Sequence, residues 1–423
     1  AVVVQCSCLL KLLVLTSPYY FWRYSLRKND YRMSGSLMNM PANVWRMTAA
    51  QGLSMTVMNV NIINTGLAGA ILAPELWLAT LPLSLQFLAV MFATLPASLL
   101  MGRFGRRPVF LSGVFISVMA TLIQAAAIMT GLFSLFVLGS ILLGCSHGIS
   151  QFYRYAAADG LPDHMKPKAI SFVLLGGLAA AMIGPEIAYR FVDAIDGARY
   201  AGAFLVAGSV HLLAFIALLG MDSPKPPRNQ SQGRSLAIFI SMSSFRLGLI
   251  AAALGYAVMS FLMTATPLQI VNVSQLDVAD NARVIQWHVI AMFAPSFVTG
   301  HLISRFGVKH IMAAGLLMYA ICIFAALSGT AFWHYFTALF LLGLGWNFLY
   351  VSGSTLIARL AEPAERGRVQ GIADLIIFAA VAFASLSAGA LHSFIGWSGL
   401  VLLCLLPVVL IACVVWLTPR GEF

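Results

Sequence analysis

The chain has 423 residues, 60% of them hydrophobic and only 9% charged, with a formal net charge of +11, whereas a soluble domain carries roughly 25% charged residues. A soluble core cannot hide so much apolar surface, so lipid is the solvent for most of the chain. The basic surplus sits in short loops between apolar spans, a topological pattern that speaks against nucleic acid as a partner. No nucleophile–base set, phosphate-binding loop or hydrolytic metal motif is present, so no enzyme class is indicated.

Residues 1–42 form an atypical head. Ala1–Thr16 is apolar but carries Lys11 and is short for a span, and Tyr19–Arg32 is aromatic and basic. Met33, Met38 and Met40 precede the first clear span. The head is expected to be appended or disordered, and Gly421–Phe423 to be a vector remnant. Cys6 and Cys8 in the head could bind a soft metal. Cys145, Cys322, Cys404 and Cys413 fall in apolar spans and imply no disulfide framework.

Crossing the hydrocarbon core takes about 20 apolar residues. Twelve segments qualify: 47–72, 77–101, 108–130, 133–157, 169–191, 199–221, 246–272, 282–304, 309–328, 331–358, 369–392 and 396–417. The predicted fold class is therefore an all-α membrane protein with twelve transmembrane helices in two six-helix bundles. One set of loops carries Arg103, Arg106 and Arg107; Lys166 and Lys168; Lys225, Arg228 and Arg234; Arg305 and Lys309; Arg366 and Arg368. The alternate set has little beyond Arg190, Arg199 and Arg283. The first set is thus expected on the cytoplasmic side of a bacterial inner membrane, with both termini inside.

The most polar stretch between the first and last spans is Asp222–Ser235. It divides the chain into an N-terminal bundle 43–221, a cytoplasmic linker 222–245 and a C-terminal bundle 246–418. An internal repeat supports that division. Arg103-Phe104-Gly105-Arg106-Arg107 follows span two, and Arg305-Phe306-Gly307-Val308-Lys309 follows span eight. Spans four and ten share Leu-Leu-Gly, at Leu142–Gly144 and Leu341–Gly343, and later reach Pro162 and Pro363.

These duplicated loops resemble those of the major facilitator superfamily, in which Arg103, Gly105, Arg106, Arg107, Arg305 and Gly307 would form a conformational gate. Glycine permits the tight turn and arginine meets helix C-termini. The resemblance covers about residues 43–418, with Gly102 and Ser304 standing where the loop acid usually is. It implies alternating access by two bundles rocking around a central site. Gly184-Pro185 in span five is similar to a motif of the superfamily's antiporters, and reads equally as a kink.

Charged groups within the spans are few. Glu186 stands four residues before Arg190, the spacing of a local ion pair. Arg154, with Asp159, is placed at the inner end of span four, where snorkelling explains it. Asp374 lies near the inner end of span eleven.

The middle of the second half instead offers soft ligands. Met259 and Met263 on span seven, and His288 and Met292 on span eight, are pairs spaced by four, each on one helical face. At the helical rise, Met259 lies ~18 Å and Met263 ~12 Å from one end of span seven, while His288 lies ~9 Å and Met292 ~15 Å into span eight. The depths overlap. The Met-x-x-x-Met and His-x-x-x-Met motifs in this order resemble the CcoA-like branch of the superfamily, bacterial copper importers that supply cytochrome oxidase assembly. That resemblance implies that Met259, Met263, His288 and Met292 bind metal, with copper, as Cu(I), the transported substrate rather than a cofactor. Periplasmic or cytoplasmic copper carriers would be partners of a monomer in the bilayer.

Met55, Met58, His147, Trp346 and Asn347 are further candidates for a cavity or relay. The span-one residues Asn59, Asn61 and Asn64 suit interhelical hydrogen bonding as well. Two other readings remain open. An organic-solute carrier, such as a riboflavin importer or a drug–proton exporter, would use Trp346, Tyr350 and the span-one asparagines as a flat polar-aromatic pocket. A non-transporting sensor or chaperone would bind the metal without moving it.

Overall fold

A computed structural model describes residues 40–158, 161, 166–221, 234–360 and 366–419. Cys6, Cys8, Asp159, Pro162, Pro363, the linker from 222 to 233 and Gly421–Phe423 lie outside the described residues. The chain divides into Ala1–Ala42 and Asn43–Phe423, and the second unit carries the fold.

Every regular element among the described residues is helical. Span one is Ala42–Leu72, span two Leu81–Phe104 and span three Arg106–Thr130. Span four is Phe133–Ser150, prolonged by Tyr153–Ala158; span five is Lys166–Arg190 and span six Ala201–Leu219. Span seven, Ser243–Pro267, ends in a π-helical turn over Leu268–Val273. Span eight is the pair Val278–Phe293 and Ser296–Phe306, bent by 43°. Span nine is Val308–Leu327 and span ten Phe332–Leu360. One run, Arg366–Leu403, is kinked at Gly396 (φ 69°, ψ −179°), which separates span eleven from span twelve; the latter continues through Leu405–Leu417. Nine of the described helices are each long and apolar enough to cross a bilayer, ten with the bent pair, and the run through Gly396 counts once.

Solvent preference is inverted relative to a soluble protein. Phe92, Leu95, Phe324 and Phe383 are exposed to between 64% and 75%, whereas Asn61, Asn64, Gln86, Gln124 and Asn347 are fully buried. Apolar side chains face lipid at no cost, and amides must find partners inside. The Asn64 amide nitrogen donates to the Ala188 carbonyl at 3.0 Å and Asn61 bonds Gln124 at 3.2 Å, while Asn64 Oδ1 and Gln86 Oε1 have no hydrogen-bond partner. Asn59 donates to the Ala180 carbonyl at 3.0 Å, beside Gly184, where a Cβ would lie 2.6 Å from that of Asn59. Gly184 therefore lets spans one and five touch.

The duplicated loops share one geometry. Gly105 has φ 85° and ψ 167°, and Gly307 φ 82° and ψ 157°, conformations that only glycine adopts readily. Their amides donate to Met101 and Ile303 four residues back, at 3.0 and 2.8 Å. Arg103 lies 5.2 Å over the Phe104 ring and Arg305 5.3 Å over the Phe306 ring. The sequence repeat is thus a structural repeat.

The halves join at the end away from these basic loops. Ser84 on span two bonds Ser385 on span eleven at 2.9 Å, and Ser385 also meets Thr264 on span seven at 3.0 Å. Gln286 on span eight donates to the Met182 carbonyl on span five at 3.3 Å. Leu67, Val192 and Tyr200 pack in one apolar cluster with Val271 and Val278. At the same end Glu186 and Arg190 form the expected local pair, at 2.8 Å and well exposed.

Candidate functional site

A cavity of about 320 Å³ lies between the halves, within the size range of small-molecule sites. Span one contributes Gln51, Met55, Met58 and Asn59; span four and its continuation, His147, Gln151 and Arg154. The other half contributes Tyr256, Met259, Ser260 and Met263 from span seven, Met292 and Phe293 from span eight, and Trp346 and Tyr350 from span ten.

The sulfur-bearing residues separate in a definite way. Met259, Met263 and Met292 all line the cavity, while His288 does not. Its ring is fully buried, with Nδ1 2.7 Å from the Leu339 carbonyl of span ten and Nε2 without a hydrogen-bond partner. Gly343 permits this approach, since a Cβ there would lie 2.5 Å from the His288 carbonyl oxygen. The structure therefore brings together three of the four residues singled out for metal. No group of three or more His, Cys, Asp or Glu residues converges among the described residues.

The relay candidates divide too. Met55, Met58, His147 and Trp346 line the cavity, and Met58 accepts a hydrogen bond from Gln86 at 2.9 Å. Asn347 is fully buried at the bend of span eight instead. Its amide donates to the Met292 carbonyl at 2.7 Å and to Ser296 Oγ at 2.6 Å, and its carbonyl accepts from Thr299 Oγ1 at 2.6 Å. Pro295, which cannot donate an amide hydrogen, explains the bend.

The aromatic wall is built on span ten. Trp346 and Tyr350, spaced by four, stack with centroids 4.9 Å apart and planes 9° from parallel. Tyr256 on span seven meets both edge-on, at 5.1 and 5.6 Å, and Phe293 approaches Trp346 at 6.0 Å. Around this cluster three buried polar atoms of wall residues have no hydrogen-bond partner: Ser260 Oγ, Trp346 Nε1 and Arg154 Nε. An unsatisfied buried polar group costs about 1–3 kcal/mol, so an acceptor brought against any of these three atoms would be stabilising.

Arg154 is the residue the sequence reading placed at the membrane edge, and the structure corrects this. It lines the cavity, lies 4.9 Å over the Tyr155 ring, and is within electrostatic range of Tyr350 and Asp374 on the opposite half. Its charge stays inside because a charge in a spanning segment is retained where it faces a polar interior or a counter-charge. The available signal was the spacing of seven between His147 and Arg154, about two helical turns, which places both on one face of span four.

Two helical bundles enclosing one mixed aromatic and polar cavity define a membrane transporter. The model of the Major Facilitator Superfamily matches residues 44–295 and 281–422, and the chain belongs to that family. It is 38% identical over 385 residues to the riboflavin transporter RfnT of Brucella anthropi, covering 90% of this chain and 96% of that protein. It is 30% identical over 376 residues to the transporter YdeG of Bacillus subtilis, covering 82% and 86%. The crystal structure of the nucleoside transporter NupG superposes with a TM-score of 0.67 at 13% identity, covering 90% of this chain and all of that one, a likeness of fold.

Proposed function

We propose that this protein is a secondary transporter that imports riboflavin, or a closely related flat heteroaromatic solute, across a bacterial inner membrane. The observation that carries the reading is the set of three unpartnered donors, Ser260 Oγ, Trp346 Nε1 and Arg154 Nε, grouped around stacked Trp346 and Tyr350. A flavin ring offers a flat π-face to the aromatics and carbonyl oxygens to such donors. Its ribityl hydroxyls suit the amides of Gln51 and Gln151, which line the same cavity from the N-terminal half. The 38% identity to a riboflavin transporter supports the same choice. The basic loops mark the cytoplasmic end, and the halves meet at the other, so this conformation presents its cavity toward the cytoplasm.

Copper import is the second reading, favoured by Met259, Met263 and Met292 on one cavity. Two features weigh against it. His288 is turned into span ten, and the Arg154 guanidinium repels a cation on a cavity lined by no carboxylate among the described residues. Purified protein in sealed vesicles tests both, with radiolabelled riboflavin and copper supplied in parallel. Saturable riboflavin uptake without copper accumulation is the expected result, and the reverse pattern overturns the flavin reading.

A further inference from the structure

A second, water-sized void of about 10 Å³ adjoins the main cavity inside the N-terminal half. Its polar lining comes from four helices: Ser54 of span one, Ser117 of span three, Ser146 and His147 of span four, and His211 of span six. His147 lines this void and the main cavity alike. His211 is 1% exposed, its Nδ1 lies 2.5 Å from Ser117 Oγ, and its Nε2 is buried without a hydrogen-bond partner. A void of this size holds one water if two to four polar groups meet it, a condition this lining satisfies.

We propose that His147 and His211, joined by one water, form a proton relay that couples solute movement to proton movement, an inference that rests on the transport of riboflavin proposed above. The chemistry narrows to these residues. No aspartate or glutamate lines either space among the described residues, and the remaining ionisable wall groups are Arg154, Tyr256 and Tyr350. Of all these, only imidazole has an unperturbed proton affinity near neutral pH.

The path can be written atom by atom. His147 Nε2 lies 2.9 Å from Gln151 Nε2, and both residues face the cavity. A proton from cavity water enters at His147 Nε2, and Gln151 turns its amide so that its carbonyl accepts the new N–H. His147 then passes its other ring proton, from Nδ1, to the bound water, which gives a proton to His211 Nε2. In the tautomer that donates from Nδ1 to Ser117, that Nε2 holds a lone pair and can accept it. The groups facing the pair are Ser54 and Met58 from span one, Ser117 from span three, Ser146, Ser150 (Oγ 3.4 Å from His147 Nδ1) and Gln151 from span four, and each other. Arg154, on the continuation of span four, is the charged group on the adjoining wall. Release occurs by the reverse path when the halves rock and change the solvent to which the cavity is open.

The test uses the full chain in proteoliposomes with membrane potential clamped. Wild type should accumulate riboflavin down an imposed pH gradient and also exchange riboflavin by counterflow at equal pH. His211→Gln should lose gradient-driven accumulation about tenfold or more while counterflow persists, and Ser117→Ala should lose it in part. Loss of both activities together, loss of neither, or a wild type indifferent to the gradient overturns the relay. Wild type without any riboflavin counterflow refutes the flavin reading instead. The relay is then decided without solute, by nitrogen-15 histidine NMR of the full chain in nanodiscs. Removing His211 should move the titration midpoint of His147, and an unmoved midpoint overturns the relay.

Discussion

Trp346 and Tyr350 stack one above the other on span ten, 4.9 Å between centroids and 9° from parallel, and Tyr256 closes on both from span seven. The spacing of four puts the two rings on one helical face, and Tyr256 holds them in place at the cavity wall.

Stacking of a flat heteroaromatic ring on an aromatic side chain contributes about 1–3 kcal/mol, and 1.4 kcal/mol is about tenfold in affinity. Trp346→Ala is therefore expected to raise the KM for riboflavin about tenfold, and Trp346→Phe, which keeps the ring and loses the N–H, by less. Initial uptake rates over a range of riboflavin concentrations give both values. An unchanged KM for Trp346→Ala would show that the solute binds elsewhere.

Arg154 and Asp374 lie on opposite halves within electrostatic range. Removing one partner of a buried pair in contact costs about 3–5 kcal/mol, and these two groups, which interact at longer range, should cost a fraction of that. Arg154→Ala and Asp374→Asn should each lower the melting temperature of the detergent-purified protein, and the double variant should recover much of the loss. Transport should stay absent in the double variant, since Arg154 also faces the solute. Additive losses in melting temperature would mean that the two charges do not support each other.

Ser84 and Ser385 bring the halves together, their hydroxyl oxygens 2.9 Å apart. Side chains this close fall within the reach of a disulfide, which spans about 4.4–6.8 Å between Cα atoms. In a Ser84→Cys, Ser385→Cys variant, oxidation should cross-link spans two and eleven and stop riboflavin uptake, and reduction should restore it. Uptake that continues through the cross-link would argue against rocking of the halves at this seam.

Met259, Met263 and Met292 line the cavity as apolar wall on the flavin reading. Replacing all three by Leu conserves volume, so riboflavin uptake should change by no more than a few-fold. His288→Ala should instead destabilise the protein by about 1–3 kcal/mol, because the Leu339 carbonyl loses its donor in a dry environment. Thermal melts and paired riboflavin and copper uptake separate these outcomes. Abolished copper accumulation in the triple variant, with riboflavin never transported by wild type, would restore the copper reading.

Much of the architecture was legible in the residues. Arg103–Arg107 and Arg305–Lys309 announced a duplicated loop because a turn that tight needs glycine, and Gly105 and Gly307 do adopt matching left-handed conformations. The spans were legible because each must be apolar for about 20 residues. The site was legible only in part. Met259, Met263, Trp346 and Tyr350 were singled out and stand on the cavity, but so does Arg154, which sequence position alone assigned to the membrane edge.

The sequence by itself determined that this is a membrane protein of two related helical halves, since hydropathy, loop charge and glycine turns are local properties of the chain. Spacing of four also determined which residues share a helical face. Which way each face turns was decided by the tertiary structure alone. His288 and Met292 share a face by period, yet His288 bonds Leu339 on span ten while Met292 reaches the cavity, because the helix sits with its neighbour between them. Equally, His147 and His211, 64 positions apart and on different spans, come together only once spans three, four and six pack around a common void. Packing chooses among the faces that periodicity offers, because buried amides and imidazoles are stabilised where a partner stands on another helix, as for Asn64 with Ala188 and His288 with Leu339.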